Sequence, residues 1–241
     1  MAKPRINPGK IVILSGAGIS APSGLATFRD SGGLWEKHRV AEVATPEAWQ
    51  LDPGLVTRFY NERRTQAAAA QPNAAHLAIA RLQHRFETVV ITQNVDDLHE
   101  RGGSSTVIHL HGELGKARSS IDPDLIYPIG NSAIQMGDLC ALGSQLRPDV
   151  VWFGEAVRHF EAAKEHILTA GRFLVVGTSL AVFPAAGLVK FARHQAEKIL
   201  VDPLPGRRPF GFRVILGSAD EALPALVNEW LCKADIPVPM E

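Results

Sequence analysis

Seven short runs, Ile11–Leu14, Thr88–Thr92, Val107–Leu110, Val150–Phe153, Phe173–Gly177, Ile199–Val201 and Phe212–Leu216, are β-branched or apolar and continuous rather than alternating in hydrophobicity. That pattern belongs to strands covered on both faces, as in a parallel sheet. Helical patterns lie between them. Asn73 stands as an N-cap before Ala74-Ala75-His76-Leu77-Ala78-Ile79-Ala80. A second pattern runs from Phe160 to Ala170 and stops before Gly171, and a third runs from Ala219 to Trp230. Alternating strands and helices joined by right-handed crossovers give an α/β fold with a doubly wound sheet.

Two stretches break the rhythm. Arg39 to Gln71 carries Pro46 and Pro53 at turns and an Ala67–Ala70 run with helical propensity, and Lys116 to Arg147 has no clear period. Both are expected outside the sheet. The predicted organisation is a larger, Rossmann-like doubly wound domain from 1–38, 84–115 and 146–241, with a smaller discontinuous module made of two insertions, 39–83 and 116–145.

Composition removes several classes. Lys+Arg and Asp+Glu number 25 each, so the net charge is zero, which argues against a general nucleic-acid or anionic-membrane binder. No apolar stretch approaches the ~20 residues of a membrane span. Residues 1–10 are polar and precede only a short apolar run, so no signal peptide is read. Two cysteines, Cys140 and Cys232, cannot form a disulfide framework. The expectation is a cytoplasmic globular protein with no membrane partner.

The first strand runs into Gly16-Ala17-Gly18-Ile19-Ser20-Ala21, a G-x-G-x-x-G/A pattern in the place where a Rossmann-like domain binds a pyrophosphate. An ordinary strand-to-helix turn reads the same way. The acidic residue that a dehydrogenase carries after its second strand is missing; Thr92-Gln93-Asn94-Val95-Asp96 stands there instead. Gln93 and Asn94 offer donors and acceptors, and Asp96 can accept from a ribose hydroxyl, although an Asn/Asp cap for the next short helix explains them equally well. His109-Leu110-His111-Gly112 follows the next strand, with both imidazoles on one side if the strand persists. A histidine near neutrality at such an end is a candidate general base. Gly177-Thr178-Ser179 offers backbone and hydroxyl donors for phosphate.

These motifs, with Gly24, Thr27-Phe28-Arg29 and Phe153-Gly154-Glu155, resemble the sirtuin family in the family's own order and over nearly the whole chain. The resemblance implies NAD-dependent removal of acyl groups from protein lysines, yielding nicotinamide, free lysine and O-acyl-ADP-ribose. It implies that Gly16, Ala17, Gly18, Ser20, Thr27, Phe28 and Arg29 cover the dinucleotide. Gln93, Asn94 and Asp96 would hold the nicotinamide ribose and carboxamide, with Asn94 and Asp96 counted as catalytic beside His111, the base. Gly177, Thr178, Ser179, Asp202 and Ala219 would complete the cofactor set, and Val151, Phe153, Gly154 and Glu155 would take the peptide. In the implied reaction the substrate's amide oxygen attacks the ribose C1′ as nicotinamide leaves, after which a neutral His111 takes a ribose hydroxyl proton.

Tyr60 and Arg63 lie at i, i+3 on a helix. Their spacing resembles that of the sirtuin subclass preferring succinyl and malonyl lysine, where a guanidinium and a phenol bind a terminal carboxylate; a solvated helix face is the plainer reading. Other positions depart from the family. Most members carry four zinc cysteines between the His-Gly and Phe-Gly-Glu motifs, whereas Glu113 to Arg147 holds only Cys140, with Ser119 near the first expected position. One thiol cannot build a tetrahedral thiolate site, so no metal is expected. Apolar packing by Leu125, Ile126, Tyr127, Ile129, Ile134, Met136, Leu139 and Leu142 is then expected to hold this degenerate zinc-ribbon-like insertion together. Asp202 stands where the family usually has an Asn that contacts the adenosine ribose, and Ser31 where members with a Tyr-x-x-Arg pair often have Ala near the acyl pocket. Mono-ADP-ribosyl transfer and a non-catalytic NAD-sensing module are the competing functions.

Overall fold

A computed structural model describes residues 4–26 and 38–234. Thr27, Phe28, Arg29 and Ser31 lie outside the described residues. Six strands form one sheet: β1 (Asn7–Ser15), β2 (Glu87–Thr92), β3 (Val107–His109), β7 (Ala170–Val176), β8 (Glu197–Val201) and β9 (Arg213–Ile215). Their order is β3-β2-β1-β7-β8-β9 and every pairing is parallel. The chain leaves β1 toward β2 and later returns to β7 on the other side. The switch in winding therefore falls at the carboxyl ends of β1 and β7, where doubly wound sheets bind ligands.

The unbroken run Ile11–Leu14 serves both faces of this sheet. Ile11 and Ile13 join one core with helix α4 (Ala74–Leu82) and the carboxyl-terminal helix α7 (Ala219–Ala234). Val12 and Leu14 join the other with helix α6 (Phe160–Thr169) and the helical turn Ala185–Phe191. All four side chains are fully buried, so Leu14→Ala is expected to cost about 2–5 kcal/mol. Asn73 caps α4 as its sequence predicts, its carboxamide oxygen accepting from Ala75 N at 3.0 Å.

A second, three-stranded antiparallel sheet has the order β5-β4-β6, from β4 (Gly112–Ser119), β5 (Ile126–Pro128) and β6 (Leu146–Val150). Three short helices adjoin it: α1 (Val40–Val43), α2 (Pro46–Leu51) and α3 (Pro53–Ala69). Capping explains the last two, because Thr45 Oγ1 accepts from Ala48 N and Asp52 Oδ1 from Leu55 N, each before a proline in the first turn. Helix α5 (Leu98–Arg101) completes the set.

Four expectations need correction. The run Val150–Phe153 is not a strand of the parallel sheet: its first residue ends β6, and Val151–Phe153 continues as loop. Apolar continuity could not tell the two sheets apart. Helix α4, assigned above to the insertion 39–83, packs on the large sheet as the crossover from β1 to β2. The second insertion is broader than 116–145, since its sheet spans 112–150. Finally, the module's apolar core is built by Val43, Val56, Phe59, Tyr60, Leu114, Val150 and Trp152, where its helices meet β4 and β6, and not by the apolar residues expected in the second insertion. Of the eight expected, only Ile134 is buried, while Ile126, Met136, Leu139 and Leu142 are exposed. Polar bonds tie the second insertion to α3. Asn61 of α3 donates to Ile134 O at 2.8 Å and accepts from Ile134 N at 3.0 Å, and Arg64 Nε donates to Leu114 O at 2.6 Å. A sheet this small buries apolar side chains only where it meets the helices, so the hairpins of the second insertion stay outside that core.

Candidate active site

The carboxyl ends of β1, β2, β7 and β8, the inner face of α3 and the segment Val150–Glu155 enclose a cleft of about 560 Å³. Its floor is a pair of interlocked turns. Gly16 N donates to Val176 O and Gly18 N to Gly177 O at 2.8 Å, while Gly177 N donates to Val201 O. A Cβ on Gly18 would stand 2.8 Å from Gly177 Cα, and Gly177 itself has φ +61°. The glycines are thus needed for turn-against-turn packing as well as for an open approach to a ligand.

Above this floor the second strand end is tied to the first. Asn94 Nδ2 donates to Ser20 Oγ at 3.1 Å, Ser20 Oγ donates to Asp96 Oδ1 at 3.4 Å, and Gln93 Nε2 donates to Thr178 Oγ1 at 3.2 Å. Burial raises the Asp96 carboxyl above its ordinary value, opposed by bonds from Leu98 N and Ser20 and by the charges of His109 and Arg63. Asp202, at the end of β8, uses one oxygen to accept from Leu204 N.

The two histidines of His109-Leu110-His111 part company, because β3 ends at His109 and strand alternation stops there. His109 reaches Asn94 O at 3.0 Å and Glu100 Oε1 at 2.7 Å with its two ring nitrogens. Burial works against charge on this ring, but Glu100 and the Asn94 carbonyl outweigh it and raise its pKa. His111 lines the cleft instead. Its Nδ1 lies 2.9 Å from Gln93 O, an acceptor, so Nδ1 carries the proton and Nε2 keeps a bare lone pair. Burial lowers the His111 pKa, partly opposed by that carbonyl. A neutral imidazole with Nε2 free to accept is what a general base requires.

Helix α3 contributes Tyr60 and Arg63, both lining the cleft. Tyr60 is buried and its hydroxyl is pushed up to about 12 by burial, while Arg63 is half-buried with its guanidinium 5.9 Å from the Phe59 ring. A solvated helix face is therefore excluded for this pair. On the opposite wall Glu155 faces the module. It accepts from Arg147 at 2.8 and 3.1 Å, from Arg118 at 2.8 Å and from Trp152 N at 2.7 Å. Val151 N donates to His111 O and Phe153 N to Ala44 O. These backbone donors are already engaged, which limits strand addition here to the segment's remaining groups.

Gly16, Ala17, Gly18, Ser20, Gln93, Asn94, Asp96, His111, Gly177, Thr178, Ser179, Asp202, Tyr60, Arg63, Val151, Phe153, Gly154 and Glu155 all line this one cleft. Ala219 does not: it packs in the core beneath α7, and its neighbour Ser218 reaches the cleft instead. The sequence reading missed Gln66 and Ala67, one turn beyond Arg63, which spacing could have found. It also missed Arg118 and Arg147, whose partner lies in another element and leaves no local signal.

The Sir2 family model matches residues 16–184. An NAD-dependent protein deacylase of Bacteroides thetaiotaomicron is 51% identical over 200 residues, 81% of this chain and 86% of that protein. One of Helicobacter pylori strain 26695 is 51% identical over 193 residues, 80% of this chain and 84% of that protein. A solved Sir2 homologue mutant in complex with ADP-ribose superposes with TM-score 0.86 at 36% identity, covering 95% of this chain and 94% of that one. A Sir2 homologue bound to NAD gives TM-score 0.83 at 37% identity, covering 94% of this chain and 91% of that one. The chain belongs to the Sir2 family.

The cleft suits a dinucleotide. Carboxylate acceptors (Asp96 and Asp202), hydroxyls (Ser20, Thr178, Ser179, Ser218) and backbone N–H groups meet at the switch in strand winding. The residues near the expected zinc position do not suit zinc. Ser119 Oγ and Ser144 Oγ are 2.9 Å apart, and Cys140 Sγ lies 3.4 and 3.1 Å from them. One thiol and two hydroxyls bonded to one another do not make a tetrahedral thiolate set. Among the described residues no group of three or more His, Cys, Asp or Glu is placed to hold a metal, and no described helix is long and apolar enough to cross a membrane.

Proposed function

We propose that this cleft removes acyl groups from lysine side chains of proteins at the expense of NAD, with His111 as the base. The enzyme is an NAD-dependent protein deacylase, as its family and its half-identical relatives are. The observation that carries the residue assignment is the His111–Gln93 bond, which leaves Nε2 unprotonated within the cleft.

Bound NAD would supply an electrophilic sugar carbon and a neutral leaving group. The chain's part is orientation and proton transfer. Ser20, Asn94 and Asp96 form one bonded cluster that fixes the nicotinamide end of the cofactor, and the hydroxyls of Thr178 and Ser179 beside the interlocked turns are donors for its phosphates. His111 Nε2 takes the proton of a ribose hydroxyl. Gly154 and its neighbours receive the peptide, and Glu155 positions that segment through Arg118, Arg147 and Trp152 N rather than by touching substrate.

Arg63 and Tyr60 extend the reading to acidic acyl groups. A guanidinium beside a buried phenol offers a terminal carboxylate charge-assisted bonds in an otherwise apolar channel. One thiol and two hydroxyls bonded to one another at Ser119, Cys140 and Ser144 support a module without zinc. Two free thiols accord with a cytoplasmic enzyme.

The test is a panel of acetyl, malonyl, succinyl and long-acyl lysine peptides incubated with NAD and read by mass spectrometry. Free lysine peptide with equimolar O-acyl-ADP-ribose is expected, and none from His111→Ala. ADP-ribose attached to protein, with no acyl transfer, would replace this function with ADP-ribosylation.

A further inference from the structure

Behind the cleft floor sit two buried histidines that no step above uses. His76 in α4 and His99 in α5 are almost completely inaccessible, and their rings meet edge-on with centroids 4.9 Å apart. Their bonds fix their tautomers. Ser15 Oγ donates to Thr92 Oγ1 at 2.9 Å, so its proton is spent there. The 2.9 Å contact between Ser15 Oγ and His99 Nε2 then has Nε2–H as donor, which leaves His99 Nδ1 a bare acceptor. On the other ring, His76 Nδ1 accepts from Asn73 N at 3.3 Å, which leaves His76 Nε2–H as a donor. The two ring atoms without a partner are those same two, His76 Nε2 and His99 Nδ1. One orphan donor and one orphan acceptor thus sit on two rings packed edge-on.

The bonds keep one polarity on both sides of that ring contact: Asn73 N–H to His76, and His99 to Ser15 to Thr92, with the two rings packed edge-on between them. Thr92 Oγ1 also receives Asn94 N at 3.0 Å. Both ends grip the cleft. Asn73 Nδ2 donates to Ile19 O and Ser23 Oγ in the turn after β1, and Asn94 holds Ser20 in that same turn. We propose that His99, with Ser15 and His76, is a positioning relay that sets the distance between the β1 turn and Asn94, and through it the affinity for the nicotinamide end of NAD. Burial depresses the basicity of both rings, which keeps them in the neutral forms the relay needs.

This inference rests on the assignment of Asn94 and Ser20 to the cofactor. Two experiments separate its parts. Long-range ¹H–¹⁵N spectra of imidazole-labelled protein at pH 7 should show His76 and His99 both neutral and both as Nε2–H; an Nδ1–H tautomer or an imidazolium at either ring overturns the relay whatever the enzyme does. Steady-state kinetics at saturating acyl-peptide then test its role. His99→Phe is expected to raise KM for NAD on the order of tenfold, the size expected from losing one buried hydrogen bond, with little change in KM for peptide. His99→Gln, whose Nε2 can still donate to Ser15, should recover most of that loss, and Ser15→Ala combined with His99→Phe should cost no more than either alone. A fall in melting temperature with KM for NAD unchanged, or independent additive losses, would reduce the pair to core packing. Asn94→Ala is the reference: if it leaves KM for NAD unchanged, the cofactor assignment has failed, and the relay's functional role with it.

Discussion

Both terminal nitrogens of Arg147 reach the carboxylate of Glu155, at 2.8 and 3.1 Å, while its guanidinium carbon lies 3.1 Å from the centre of the Trp152 ring. The pair joins β6 of the small module to the wall of the cleft. Arg118 of β4 adds a third bond at 2.8 Å. Removing Arg147 takes two charge-assisted bonds from Glu155 and leaves it with Arg118 and Trp152 N, so Arg147→Met is expected to cost about 1.5–3 kcal/mol of stability. It should also raise KM for peptide more than KM for NAD. Denaturant melts beside initial-rate kinetics check both; equal effects on the two Michaelis constants would separate this pair from the peptide wall.

As the proposed base, His111 is expected to set the acid limb of activity. Its pKa is lowered by burial, so its neutral form persists below the ordinary histidine value of about 6.5. The kcat/KM profile is expected to stay flat down to about that pH and to fall below it. His111→Ala should abolish turnover while NAD binding, followed by calorimetry, survives.

Arg63→Met should lower desuccinylation by about 10–100-fold, the worth of a charge-assisted bond of about 1.5–3 kcal/mol, and deacetylation by much less. Tyr60→Phe, which keeps the ring packed against Phe59, should act in the same direction more weakly. Equal losses on both acyl groups would dismiss the carboxylate-binding reading.

Acid should weaken the fold through His76. Burial lowers its pKa from 6.5 to about 4, so between those values the unfolded chain binds a proton that the folded chain does not. The contribution is fully present above pH 6.5 and drains as pH falls toward 4, by about 3 kcal/mol in all. His109, whose pKa is raised, acts oppositely in the region above 6.5. Urea melts at pH 7.5, 5.5 and 4.5 on wild type and His76→Gln isolate the term, since the variant should lose that part of the slope.

Chelation should change nothing. Prolonged treatment with a strong zinc chelator is expected to leave melting temperature and deacylation as they were, and elemental analysis should find no stoichiometric zinc. A bound equivalent of zinc would overturn the hydroxyl–thiol reading of Ser119, Cys140 and Ser144.

The large sheet was legible because parallel strands need apolar side chains on both faces, and Ile11–Leu14 and Phe173–Val176 show that without ambiguity. The motifs at the strand ends were legible for the same reason, since their positions follow from the strands before them. Val150–Phe153 misled because its hydrophobicity does not say which sheet it joins. The module's apolar residues misled because Leu139 and Leu142 lie in a hairpin too small to cover them, while the bonds that hold it come from Asn61, Arg64 and Glu155, distant in sequence. Polar partnerships of that kind, like the tautomers of His76 and His99, depend on three-dimensional neighbours and carry no period.

The small sheet is spliced into the chain on either side of the cleft: β4 begins at the residue after His111, β6 ends at the residue before Val151, and Val151 N donates to His111 O at 2.8 Å. Insertions or deletions in the hairpins between those two points are therefore expected to act on the cleft wall beside the proposed base as small mechanical adjustments. Substrate preference can thus be tuned from the periphery, with the dinucleotide half of the enzyme left untouched.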